Sequence, residues 1–176
     1  MNFFRRWQGR GQPLPEPYPI QSIITSSVIA GLVIAGLFFL TEKIDHLLIM
    51  GSFAASSLIV FGLPESPFAQ PRNVIGGHLI GSTIGLIAFT YLSSHWWAAA
   101  VAVALTMATM KLTRTVHPPA TSNPLVIFIA YQLNPLHKPT WEFILFPTLV
   151  GACLIILVAL FKHNLHRTKQ WPLYWY

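Results

Sequence analysis

Apolar runs alternate along this chain with short polar breaks rich in proline and glycine. Ile20 to Leu40 extends for 21 residues without a charge, and Phe143 to Phe161 for 19. A bilayer core about 30 Å thick needs roughly 20 apolar residues as a helix, so both runs are predicted to span a membrane. Four shorter runs lie between them: Leu47–Leu63, Ile75–Leu92, His95–Met110 and about Pro118–Leu133. Each is interrupted or bounded by glycine, proline or a charge. None alternates with period 2, and Ala98–Ala104 is an alanine-rich, helix-favouring stretch. The pattern predicts an all-α membrane protein of about six transmembrane helices.

Charge placement separates two topologies. If all six runs cross, one side holds Arg5, Arg6, Arg10, Arg72, Lys111, Arg114, Lys162, Arg167 and Lys169, and the other holds Lys43 and Lys138. Cytoplasmic loops carry the excess of Lys and Arg, so six spans with both termini cytoplasmic are preferred. If the second and fifth runs dip in and return, Arg72, Lys111 and Arg114 change sides and the bias nearly vanishes. Deep non-helical breaks in those two runs remain compatible with six spans where protein buries them. Residues 1–19 are then a cytoplasmic tail, 20–161 the membrane domain, and 162–176 a basic and aromatic tail at the membrane surface.

Composition narrows the class. Hydrophobic residues make up 53% of the 176-residue chain and charged residues 9%, against about 25% charged in soluble domains. That excludes a soluble domain and a disordered chain. The net charge of +6 is spread between apolar runs, not gathered in one patch, which argues against nucleic acid. Cys153 is the single cysteine, so no disulfide framework exists. The first apolar run has no clear cleavage site and reads as a retained span, not a signal peptide.

Small residues suggest how the spans pack. Gly77, Gly81 and Gly85 recur every four residues and bare one face of the third span for a close neighbour. Ser82, Ala98 and Ala102 extend the theme. Trp96, Trp97 and Trp141, with Trp171, Tyr174, Trp175 and Tyr176 after the last span, suit interfacial belts. The first three and last three segments share an order: long span, short broken segment, glycine-bearing span. Ala54-Ala55-Ser56-Ser57 matches Ala120-Thr121-Ser122-Asn123, and Leu79-Ile80-Gly81-Ser82 matches Leu149-Val150-Gly151-Ala152. Three spans per unit invert the second unit, a plan that places transporter sites at the repeat interface.

Two stretches concentrate the candidate chemistry. In Lys111–Pro124, Pro118 forces His117 out of the helical region. Pro118 or Pro119 can open a helix without loss. The next amides, with Thr121, Ser122 and Asn123 nearby, would favour an anion near His117, and Lys111 and Arg114 add positive potential. Pro124 is expected to kink that helix. In Gly62–His78, Pro64, Pro67 and Pro71 stiffen a connector whose only charges are Glu65 and Arg72. Arg72 and Asn73 precede Gly76, Gly77 and His78, so this connector is either a substrate gate or a turn. His78 lies inside the third span, where an ionisable side chain is costly and often functional, or else is a neutral ring bonded to a neighbouring helix. Metal sites at Asp45-His46 or at His163 and His166 are disfavoured, the latter by surrounding cations. No nucleophile elbow, phosphate loop or paired-carboxylate motif appears, so an enzyme is not expected, nor a cofactor.

The stretches Gly51-Ser-Phe-Ala-Ala-Ser56, Pro64 through Ala69-Gln-Pro-Arg-Asn to His78, and His117-Pro-Pro-Ala-Thr121 resemble the HPP family of small integral membrane proteins. The resemblance covers about Pro19 to Phe161. Ser122-Asn123-Pro124 follow where members often continue with glycine or alanine. The short form, with no soluble regulatory tail, is similar to cyanobacterial and plastid members associated with nitrite transport. That implies a small-anion transporter in a bacterial plasma (inner) membrane. On this expectation the starts of segments 2 and 5 face a shared cavity at the repeat interface. Ser52 and Ser56 donate from one side and His117, Thr121 and Ser122 from the other, while Arg72 and Arg114 concentrate anions at the mouth. A slim six-helix bundle also suggests a homo-oligomer in the bilayer. The rival readings are a non-transporting membrane subunit or scaffold and an anion channel of different selectivity. The few acids argue against an Asp/Glu proton relay, although His78 or His117 could titrate near neutral pH.

Overall fold

A computed structural model describes residues 13–44, 48–165 and 170–175. Arg5, Arg6, Arg10, Asp45, His46, His166, Arg167, Lys169 and Tyr176 lie outside the described residues. Helix α1 is Ile20–Ile44. Helix α2 is Gly51–Ser57 and continues as a π-helical turn through Leu58–Gly62. Helix α3, Pro71–Ile87, likewise ends in a π-helical turn, Ala88–Leu92. Helix α4 is Trp96–Leu112. A 3-10 turn, Pro118–Ser122, leads into α5, Asn123–Leu133. Helix α6, Val150–Asn164, is preceded by a π-helical stretch, Ile144–Leu149. No strand occurs among the described residues, as the missing period-2 alternation predicted.

Three helices are long and apolar enough to cross a membrane: Ile20–Lys43, Pro71–Leu92 and Ile144–Asn164. The third span is longer than the expected Ile75–Leu92 because Pro71 begins it. Proline fits the first helical position, where its missing N–H costs nothing. Pro124 behaves the same way. It opens α5 behind the 3-10 turn and does not kink a running helix.

The two short segments still traverse the bundle. Helix Gly51–Gly62 is about 18 Å long at 1.5 Å per residue, too short for a span. Extended residues lead into it, and the Leu48 amide bonds Thr41 Oγ1 near the end of α1 (3.0 Å). At the other end Leu58, Gly62 and Leu63 share a cavity with Tyr18, Ser22 and Ile23 at the start of α1. Segment 2 therefore runs antiparallel to most of α1. Segment 5 runs parallel to α3 along its length. Thr115 sits on Gly76 at one end, and Tyr131 stacks edge-on against Phe89 at the other, 4.9 Å between ring centres. A dip-and-return path would leave neither segment's far end beside its neighbour's far end.

Glycines set these contacts. A Cβ on Gly77 would come within 2.8 Å of His117 Cβ, one on Gly81 would collide with the Ala120 carbonyl oxygen, and one on Gly85 would reach Pro124 Cα at 2.8 Å. The bare face of α3 thus carries segment 5. Gly151, which the internal repeat matches to Gly81, does the same for segment 2: its Cβ would strike the Phe53 ring.

Two apolar clusters flank the middle. One joins α1, α2 and α6 through Leu37, Phe53, Phe61, Ile155 and Trp171. The other joins α3, α4 and α5 through Leu86, Ala98, Ala102, Ile127 and Phe128. The last turn of α6 caps the carbonyl end of segment 2, with Lys162 Nζ donating to the Phe61 carbonyl (2.7 Å) and His163 to that of Val60 (2.9 Å). Trp96, Trp97 and Trp141 are exposed as expected of a belt. Trp171 is not: it is 5% exposed, and its indole N–H reaches the Pro64 carbonyl. A tail lying on the membrane surface would leave that ring outside the core, whereas residues 171–174 fold back onto the connector before α3.

Candidate functional site

His117 is positioned by its neighbours on α3 and by the end of α4. The α4 helix closes with Arg114 at φ 56°, the Arg114 amide bonded to the Lys111 carbonyl and the Thr115 amide to that of Met110. This is a Schellman closure with arginine where glycine is usual. Arg72 then donates to the Thr113 carbonyl and Asn73 to the Val116 carbonyl, both at 3.0 Å. His117 follows in extended conformation at the head of the 3-10 turn, as Pro118 requires. Its side chain enters the bundle beside Gly77, and its Nδ1 meets the Phe68 carbonyl oxygen at 2.8 Å.

Inside, Ser56 on α2 joins two imidazoles. Its Oγ lies 2.8 Å from His117 Nε2 and 2.9 Å from His78 Nε2. All three residues are completely buried. The two rings are 5.1 Å apart between centres, and Phe53 lies edge-on to His78 at the same distance. Asn123 at the start of α5 contacts His78 Nδ1 through Nδ2 (3.1 Å) and also donates to Ser82 Oγ (3.0 Å). Ser82 in turn meets Thr148 at 2.7 Å, in the stretch where span 6 loses helical geometry at Phe146.

The proton positions follow from what each partner can do. A carbonyl only accepts, so His117 Nδ1 carries a proton, and in the neutral ring Nε2 accepts. Ser56 supplies that donor. His78 Nε2–H then donates to Ser56, and His78 Nδ1 accepts from Asn123. The result is one directed chain from Asn123 through His78, Ser56 and His117 to the Phe68 carbonyl. It joins segments 2, 3 and 5 in a region where unpaired polar groups are costly. His78 stands about 10 Å along α3 from Pro71 at 1.5 Å per residue.

The other expected residues are distributed around this node. The Ser52, Ser57 and Thr106 hydroxyls are buried without a hydrogen-bond partner among the described residues. Of these, Ser52 shares the face of Ser56 one turn earlier, and its carbonyl lies 3.0 Å from Ser56 Oγ. Thr121 and Ser122 donate to the carbonyls of Pro118 and Pro119, each three residues back in the 3-10 turn's own backbone path. Their hydroxyl protons are spent locally and do not reach Ser56. The Ala120 amide is likewise taken by the His117 carbonyl, so the turn does not form the anion-binding helix start expected beside His117. Arg114 is exposed and Arg72 half-buried, both at the end of the bundle where segment 5 begins. Pro118 and Pro119 open the 3-10 turn and Pro71 opens α3. Segments 2 and 5 meet directly at the node through Ser56 and His117.

Sequence reasoning missed Thr148 and the Phe68 carbonyl, named Asn123 only as a neighbour of the helix start beside His117, and took Ser82 only as a small packing residue. The spacing of Ser82 four residues after His78 was the available signal. Thr148 occupies the repeat position that matches His78. Gln70 was also missed. It is fully buried, donates to the Pro64 and Ser66 carbonyls, and accepts from the Leu173 amide.

The chain matches the model of the HPP transmembrane region over residues 15–172, nearly its whole length. It belongs to the HPP family. The His-Pro-Pro triplet is therefore the segment that delivers His117 to the node. Similar proteins include two transmembrane proteins of Dictyostelium discoideum, 33% and 32% identical across all of this chain. The chain spans 64% and 58% of their lengths, so less than two thirds of either relative is compared. No solved structure matches.

Proposed function

We propose that this HPP protein moves a small monovalent anion across a membrane, with nitrite as the first candidate. The observation that carries the reading is the fully buried Ser56–His78–His117 node, which ties both broken segments to α3. Ionisable side chains inside membrane spans are expensive and mark substrate or ion pathways. Broken helices meeting in the bundle are a recurring transporter arrangement. Ser52 supports the reading with a buried hydroxyl free to donate beside the node. Arg72, Lys111 and Arg114 cluster where segment 5 begins and would raise anion concentration at that mouth. A nitrite ion needs only a few donors, and moderate affinity permits release. The reading takes this end as cytoplasmic, with both termini on that side of a bacterial plasma membrane.

The test is anion uptake into proteoliposomes holding the purified chain, comparing nitrite with nitrate and chloride. Selective nitrite uptake above protein-free vesicles supports the proposal. Equal background rates for all three anions, from folded protein, contradict it.

Helix α1 supports a homo-oligomer within the same reading. Only 11% of its apolar window is buried, against 44% for α3. Gly31 is exposed and has open space where a Cβ would stand. A second copy would approach closely at that position.

A further inference from the structure

We propose that the Ser56 node takes up one proton with each anion, so that transport is electroneutral and proton-coupled. This rests on the anion-transport reading above and names its coupling ion. The geometry supplies three reasons.

First, every described hydrogen-bond and ring partner of the two imidazoles is neutral. His78 meets Ser56, Asn123, Phe53 and His117, and His117 meets Ser56, the Phe68 carbonyl and His78. From α4, Met110 packs against the same glycine as His117. From the stretch before α6, Thr148 faces Ser82. None of these is an Asp, Glu, Lys or Arg. An anion entering this buried site alone would be an uncompensated charge, and so would an imidazolium. Together they form a neutral pair, so each makes the other's binding favourable. By linkage this coupling is reciprocal.

Second, the chain can accept an extra proton without stranding a donor. Asn123 presents both ends of its amide to His78 Nδ1, with Nδ2 at 3.1 Å and Oδ1 at 3.3 Å. With His78 neutral, Nδ2–H donates to Nδ1. With His78 protonated at both nitrogens, Nδ1–H donates to Oδ1 after a rotation of the amide. Ser82 and Thr148 are hydroxyls and can reverse their own hydrogen bond to follow it.

Third, His117 Nδ1 faces a carbonyl that only accepts, whereas His78 Nδ1 faces an amide that can donate or accept. The Phe68 carbonyl holds the Nδ1 proton of His117, so the added proton enters at His117 Nε2 or His78 Nδ1. Ser56 passes it between the rings by accepting on one side and donating on the other. No covalent bond changes except N–H and O–H. One H+ and one NO2− enter together, and no net charge moves.

The test uses the full chain in proteoliposomes with a lumenal pH dye and a potassium–valinomycin clamp. Nitrous acid crosses lipid unaided, so rates are taken above protein-free vesicles at alkaline pH. The expected result is lumenal acidification of one proton per nitrite, at a rate indifferent to the sign of the clamped potential. In His78→Gln, which keeps a polar side chain and cannot titrate, coupled uptake falls to background. Nitrite uptake that follows the potential without acidification would overturn the coupling and leave anion transport standing. No uptake above background would overturn both. Coupled uptake that persists in His78→Gln would remove the node from the mechanism. A second readout needs no variant: 15N NMR of histidine-labelled protein. Adding nitrite should convert one neutral buried ring to imidazolium, and rings that keep their neutral tautomers at saturating nitrite would refute the proposal.

Discussion

One serine hydroxyl has one proton, and here it faces two imidazole nitrogens and a carbonyl. That shortage makes Ser56 a junction: it can donate to only one neighbour, so the tautomer at the Phe68 carbonyl sets the direction of the whole chain. The hydroxyls of Thr121 and Ser122 hold only their own turn. Thr121→Val and Ser122→Ala should therefore keep near wild-type nitrite uptake and lose about 1 kcal/mol of stability each, the worth of an ordinary hydrogen bond; uptake assays beside thermal unfolding check this. Arg114 gives a cleaner separation of backbone from charge. It occupies a left-handed position that glycine fills without cost, at a penalty of roughly 1 kcal/mol or more for a residue with a Cβ. Arg114→Gly is expected to hold or raise Tm while lowering nitrite uptake at low ionic strength, where steering is strongest. Unchanged uptake in that variant would remove Arg114 from the pathway mouth. His78, His117 and Ser56 were readable in advance because histidines in apolar runs stand out. Asn123 was not, since asparagine before a helix reads as an ordinary start signal. Only the fold reveals that its amide turns inward.

The run lengths made the helices legible, and the breaks made segments 2 and 5 legible as short. The entry points were harder to read, because proline excludes itself from a helix interior but suits its first turn. Pro71 lengthens α3 and Pro124 opens α5 for that reason. The matched glycines give the element-scale prediction. Gly81→Ala drives a methyl group into the Ala120 carbonyl, and Gly151→Ala drives one into Phe53. Both should destabilise by about 1–3 kcal/mol, the usual range for overpacking. Gly31→Ala, with nothing within 4 Å, should not. Thermal unfolding in one detergent orders the three. A loss at Gly31 equal to that at Gly81 would mean the close approach of segment 5 to α3 is misplaced.

Across the whole molecule, the node is enclosed by two apolar clusters and approached from the end where the connector and the C-terminal segment pack together. Trp171 and Tyr174 bond to Pro64 and Pro67 of the connector whose Phe68 carbonyl orients His117. No periodicity announces such a return, so the sequence pattern alone suggested interfacial aromatics. The open face of α1 carries the oligomer prediction. Gly31→Leu should leave the fold of each copy intact and shift the species seen by crosslinking in membranes toward monomer. An unchanged crosslinking pattern would place any contact elsewhere. The central claim is that the Ser56 node lies on an anion pathway, and nitrite uptake by wild-type and Ser56→Ala protein in matched proteoliposomes tests it most directly. The account predicts selective uptake by the wild type and a fall to the protein-free rate in a folded Ser56→Ala protein. Wild-type uptake rates in that variant would contradict it.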